Sequence, residues 1–162
     1  MHTTKSNDEL ILETSIKFNT LMSEQGYSTD PRKHREVLAC LRTGCRPNSE
    51  KKGPDCYYFE NGKWHPAERK STTSNKCKGA YTGISNKATW EEQIILLEKK
   101  IRDMWRHYYD RFDKKSGALV ESWWISGEKV YELLLPRVKS DFDNKKALIA
   151  AGKTPADPRL SA

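Results

Sequence analysis

The chain has 162 residues, of which 29 are Lys or Arg, 22 are Asp or Glu, and 36% are hydrophobic. That is the length of a single domain, and five Trp, seven Tyr and four Phe supply enough bulk for a core, which argues against global disorder. No apolar run approaches the roughly 18 residues of a bilayer span, and the formal charge of +7 lies entirely within residues 31–80, which hold 12 basic and 5 acidic residues.

The N-terminus has no hydrophobic segment before a small-residue cleavage site, so it does not read as a secretory signal. A first helix is expected over residues 8–24, capped by Ser6 or Asn7 and ended by Gly26. A second starts at Pro31 with Asp30 as N-cap, buries Val37, Leu38 and Leu41, and ends at Gly44. Residues 46–55 read as loop. Cys56 to Glu60, then Asn61-Gly62, then Lys63-Trp64-His65 form the clearest local signal. Asn-Gly supplies the positive φ angles of a two-residue type I′ turn, which predicts a short hairpin. Alternation puts Tyr57 and Phe59 on one face and Tyr58 on the other.

Residues 66–88 read as a long polar connection, of the kind that is usually functional or flexible. Thr89 and Glu92 form a capping box, and Trp90, Ile94, Leu97, Ile101, Met104/Trp105, Tyr108 and Phe112 recur every three or four residues. That spacing predicts an amphipathic helix to about Asp113. A short helix is expected over residues 118–124. Another follows Ser126 with Val130, Leu134, Val138 and Phe142 at steps of four, kinked or split at Pro136. The tail from residue 153 is expected to be disordered. The predicted architecture is mainly α: a bundle of about five helices forming one domain over residues 1–152. Residues 45–88 are its basic, cysteine-bearing hairpin and loop insertion.

Cys40, Cys45, Cys56 and Cys77 are spaced C-x4-C-x10-C-x20-C. Structural zinc sites usually offer a tighter pair, so disulfides among these four are the leading expectation and free thiols its rival. No cofactor is expected. Zinc at the four cysteines, with His65 able to replace a thiol, is the alternative. The default location is the cytoplasm, or another cell or oxidising compartment if the cysteines are bridged.

Asp103, His107 and Asp110 would share one helical face, able to bind a metal or orient a general base. With His65 they are the candidate catalytic residues, although that face points away from the apolar stripe. No phosphate loop, nucleophile elbow or His-Glu-x-x-His is present, and the balance leans away from an enzyme. The charged region itself offers Arg42, Arg46, Lys51, Lys52, Lys63, Arg69, Lys70, Lys76 and Lys78, with Tyr58 and Trp64 to stack on bases or anchor a partner. The expected function is binding of an acidic partner, nucleic acid first and an acidic protein second. The alternatives are an exported bacterial effector or toxin domain, hydrolase or nuclease, stapled by disulfides, and a phage-type inhibitor acting by occlusion.

Overall fold

The structure, a computed structural model, describes residues 5–50, 52–76, 78–81, 86–152 and 159–161. Helix α1 (Asn7–Glu24) begins with a capping box in which the Ser6 hydroxyl accepts the Glu9 N–H and the Glu9 carboxylate accepts the Ser6 N–H. Helix α2 (Pro31–Arg42) begins with Asp30 accepting the Arg32 N–H and proline in the first turn. The chain then forms β1 (Arg46–Pro47), β2 (Cys56–Glu60), β3 (Lys63–Thr72) and β4 (Lys78–Ala80). Helix α3 (Trp90–Leu97) opens under the Thr89 cap and widens into a π-helical turn, Glu98–Arg102. Strands β5 (Arg106–Phe112) and β6 (Leu119–Ser126), helix α4 (Gly127–Ala150) and β7 (Arg159–Ser161) complete the chain.

The fold is therefore α/β, and the expected helical bundle is corrected: the centre is a mixed five-stranded sheet in the order β1-β2-β3-β5-β6. Strand β3 runs parallel to β5, and the other neighbours are antiparallel. Two expected helical stretches are strands. The helical stripe ends at Arg102, and Arg106–Phe112 is an interior strand of the sheet, between β3 and β6, with His107, Tyr108, Tyr109 and Asp110 all buried. A strand covered on both faces loses its alternation of polar and apolar residues, and here the aromatic run matched a helical period by coincidence. Residues 118–124 belong to β6, which returns antiparallel to β5. The polar connection expected over residues 66–88 includes the second half of β3 and all of β4. Of the predicted tail, residues 153–158 and 162 lie outside the described residues, and β7 pairs with β4.

Helix α4 does start at a Ser126 cap and buries Val130, Leu134, Val138 and Phe142; Pro136 does not split it. Two cores flank the sheet. On one face Cys40, Cys45, Cys56, Tyr58, Ala67 and Tyr108 pack together. On the other, Tyr81, Leu97, Ile101, Val130, Leu134 and Val138 do so, with Ile125 against them. Among the described residues no helix is long and apolar enough to cross a membrane.

Candidate active site

The turn between β2 and β3 fixes everything that follows. Asn61 and Gly62 take positive φ values of 50° and 76°, and a two-residue turn with that geometry allows one register. Glu60 pairs with Lys63, Phe59 with Trp64, Tyr57 with Pro66 and Cys56 with Ala67. One step further, Asp55 stands opposite Glu68. Along β3, Glu68 and Lys70 share a face because side chains alternate. The Lys70 ammonium donates to the Glu68 carboxylate at 2.6 Å. Arg69, between them, points through the other face, where its guanidinium makes a two-pronged pair with Asp110 (2.8 and 2.9 Å). Its backbone N–H stays on the cleft side and donates to Asp55 Oδ2 at 2.7 Å. One strand segment thus anchors the fold with its middle residue and presents a carboxylate and an ammonium with the two beside it.

These groups line a cleft of about 220 Å³ with Gly53, Tyr81, Lys100, Ile101 and Met104. Gly53 and Asp55 also border an adjoining hollow of about 540 Å³ that contains Lys33 and Glu36. Burial and then the Glu68 charge push the Asp55 carboxyl up to about 6. Burial also pushes Glu36 up, with the Lys33 ammonium pulling it back and the Asp55 charge adding to the rise. A half-buried carboxylate raised by burial and by a neighbouring carboxylate's charge marks a place where a cation is stabilised. The π-helical turn brings Lys100 and Ile101 to the rim, and such turns recur at functional sites.

Beneath the cleft lies a polar chain. The Ile101 carbonyl is only an acceptor, so His107 Nε2 carries the proton it donates at 2.8 Å. His107 Nδ1 is then the acceptor of the Tyr81 hydroxyl at 3.0 Å. The Tyr109 hydroxyl in turn donates to Tyr81 at 2.8 Å. Burial lowers His107 to about 4, so the ring is neutral. Its part is to hold Tyr81 at the cleft wall.

The residues singled out from sequence are dispersed. His107 and Asp110 lie on opposite faces of β5, both fully buried, and Asp103 is exposed beside Arg102; the expected shared helical face is corrected because the segment is a strand. His65 is buried, stacked between Tyr58 and Trp105 with Nε2 at 3.2 Å from the Glu60 carbonyl. Tyr58 and Arg69 are buried and withdrawn from any contact surface, the first in the cysteine-side core, the second by Asp110. Arg42, Arg46, Lys52, Lys63, Trp64 and Lys76 are exposed. Lys70 is in the cleft. Lys51 lies outside the described residues, as does the side chain of Lys78.

Cys40, Cys45 and Cys56 are buried free thiols, and Cys77 lies outside the described residues. Hydrogen bonding to Cys40, with burial adding, pushes the Cys56 thiol up to about 12. Among the described residues no group of three or more His, Cys, Asp or Glu is arranged to hold a metal ion. The cleft is thus an open site of two facing carboxylates. Asp55, Glu68, Tyr81 and Lys100 were missed in the sequence. The signal for the first two was present, since counting back from the Asn-Gly turn puts Asp55 opposite Glu68. No family model, curated protein or solved structure matches the chain.

Proposed function

We propose that this protein acts on nucleic acid as a divalent-metal-dependent phosphodiester hydrolase, with Asp55, Glu68 and Lys70 as its working residues. The observation that carries the reading is the convergence, in one cleft, of two facing carboxylates and an ammonium two residues along the same strand face. Hard oxygen ligands in an open site suit Mg²⁺, which is commonly held by one or two carboxylates together with substrate phosphate and water. A metal so placed supplies Lewis-acid charge at the scissile phosphate.

The chain's own residues supply the rest. Asp55 and Glu68 provide the anionic seat, and the Arg69 N–H keeps the Asp55 carboxylate turned toward β3. Lys70, held by Glu68 and lying 5.0 Å from the centre of the Tyr81 ring, places positive charge where negative charge builds on the phosphoryl oxygens. Lys100 adds positive potential at the cleft, and Lys33, paired with Glu36, lies in the adjoining hollow. Hydrolysis adds water across one P–O bond, leaving a phosphomonoester and a hydroxyl. The excess of basic residues over 31–80 favours a polyanionic substrate over a neutral one.

The test is hydrolysis of the small diester bis(p-nitrophenyl) phosphate and of labelled oligonucleotides with Mg²⁺ or Mn²⁺, against the same mixtures with EDTA. Turnover is expected only with metal, and D55N, E68Q and K70M should each lower it by about 100-fold or more while remaining fully folded at the assay temperature. Absence of metal-dependent turnover, or turnover that survives D55N and E68Q, overturns the reading.

A further inference from the structure

The β2–β3 hairpin carries a second feature beyond the cleft. Phe59 and Trp64, paired directly across the strands, are 59% and 43% exposed. Their ring centres are 5.3 Å apart. The Arg46 guanidinium lies 4.7 Å from the Trp64 ring centre and 5.2 Å from that of Tyr57. Two large exposed rings side by side, with an arginine against Trp64 and the neighbouring Tyr57, present the ring surface and cation on which successive bases stack.

Position ties this surface to the cleft. Trp64, Pro66, Glu68 and Lys70 alternate onto one face of β3, so the rings and the carboxylate–lysine pair share that face. Four residue steps along the strand take Trp64 to Glu68, about 13 Å. That is roughly four nucleotides at the ~3.4 Å rise of a stacked strand, and fewer if the strand is extended.

We propose that the Tyr57, Phe59, Trp64 and Arg46 surface is the docking platform for single-stranded nucleic acid and delivers it along the β3 face into the Asp55–Glu68–Lys70 cleft, an inference that rests on the hydrolase reading for its destination. Charge favours this occupant over a protein. The Arg46 guanidinium lies on the ring surface itself, Lys63 is exposed on the adjacent hairpin residue, and the neighbouring carboxylate, Glu60, is taken up by Arg106 at 2.7 Å. A single strand fits better than a duplex, because base faces are available for stacking only when unpaired.

Fluorescence anisotropy of labelled oligothymidylate and oligouridylate in EDTA, beside a labelled duplex, tests the platform without cleavage. The wild-type chain should bind the single strands more tightly than the duplex, and the paired substitution Phe59→Ala with Trp64→Ala should weaken that binding roughly tenfold or more at an unchanged melting temperature. Arg46→Ala should weaken it less. The DNA and RNA arms show which sugar is preferred. Equal binding by the paired variant, preference for the duplex, or no oligonucleotide binding at all overturns the platform, the last pointing to a protein partner. Turnover of bis(p-nitrophenyl) phosphate, a diester too small to span the rings, is read separately. If it fails while ring-dependent binding holds, the hydrolase reading falls and the platform stands; if it holds while binding ignores the rings, the reverse follows.

Discussion

Arg69 shows how one residue sets the roles of its neighbours. Its guanidinium is held by both Asp110 oxygens, stands 3.2 Å from the Thr43 hydroxyl and lies over the Tyr108 ring at 4.3 Å. The Ser122 hydroxyl donates to the same Asp110 carboxylate at 2.6 Å. A buried pair satisfied this fully is costly to break by removing one partner, because the other charge stays behind unpaired. Arg69→Ala should therefore lose about 3–5 kcal/mol in urea unfolding, whereas Lys70→Ala should cost far less stability while abolishing turnover. Asp55 gives the opposite sign. Its folded pKa of about 6 lies above the ordinary 3.8, so the folded state binds the proton more tightly, and stability falls as pH rises through that window. His107, lowered to about 4 from 6.5, loses stability on acidification across much of the same range. Comparing D55N with wild type isolates the first effect. The variant should be the more stable by about 1–3 kcal/mol at neutral pH, with the gap closing toward pH 4. A gap that widens on acidification would show that Asp55 is not strained by its surroundings.

At the scale of elements, the π-helical turn and the start of α4 fit against each other with no room to spare. A Cβ on Gly127 would fall 2.0 Å from the Met104 carbonyl and 2.6 and 2.7 Å from those of Arg102 and Ile101. These are backbone atoms, so they yield only by moving the turn, and the Gly127 N–H also donates to the Trp105 carbonyl at 2.9 Å. The Ile101 carbonyl is the group that fixes His107, and Lys100 beside it lines the cleft. Gly127→Ala should cost roughly 1–3 kcal/mol as overpacking does, and it should lower turnover beyond what lost stability accounts for, measured at a temperature where the variant is fully folded. The hairpin is organised the other way, around an open end. Its cleft-side residues meet Tyr81, Ile101 and Met104, while Phe59 and Trp64 lie beyond that cover.

Across the whole molecule, the sheet separates two chemistries. One face carries the thiols, Tyr58, Tyr108 and the Arg69–Asp110 pair, a sealed and structural side. The other carries Glu68, Lys70 and the Tyr81–His107–Tyr109 chain beside the cleft. The basic cysteine stretch of the sequence divides along the same line: Cys40, Cys45, Cys56 and Tyr58 pack on one face, and Tyr57, Phe59, Trp64, Glu68 and Lys70 lie on the other. What the sequence by itself determined is local. The caps at Ser6, Asp30, Thr89 and Ser126, the Asn61-Gly62 turn and the apolar steps of α4 are set by residues within a few positions of each other, and all of them form, the cap at Thr89 through its hydroxyl accepting the Glu92 N–H. The Asp55–Glu68 pairing also follows from the turn by counting. Only the tertiary structure decided that residues 106–112 are a strand and that His107 and Asp110 part to opposite faces. That decision required β3 on one side and β6 on the other, because hydrogen bonds across a sheet come from residues distant in the chain, and local periodicity carries no record of them.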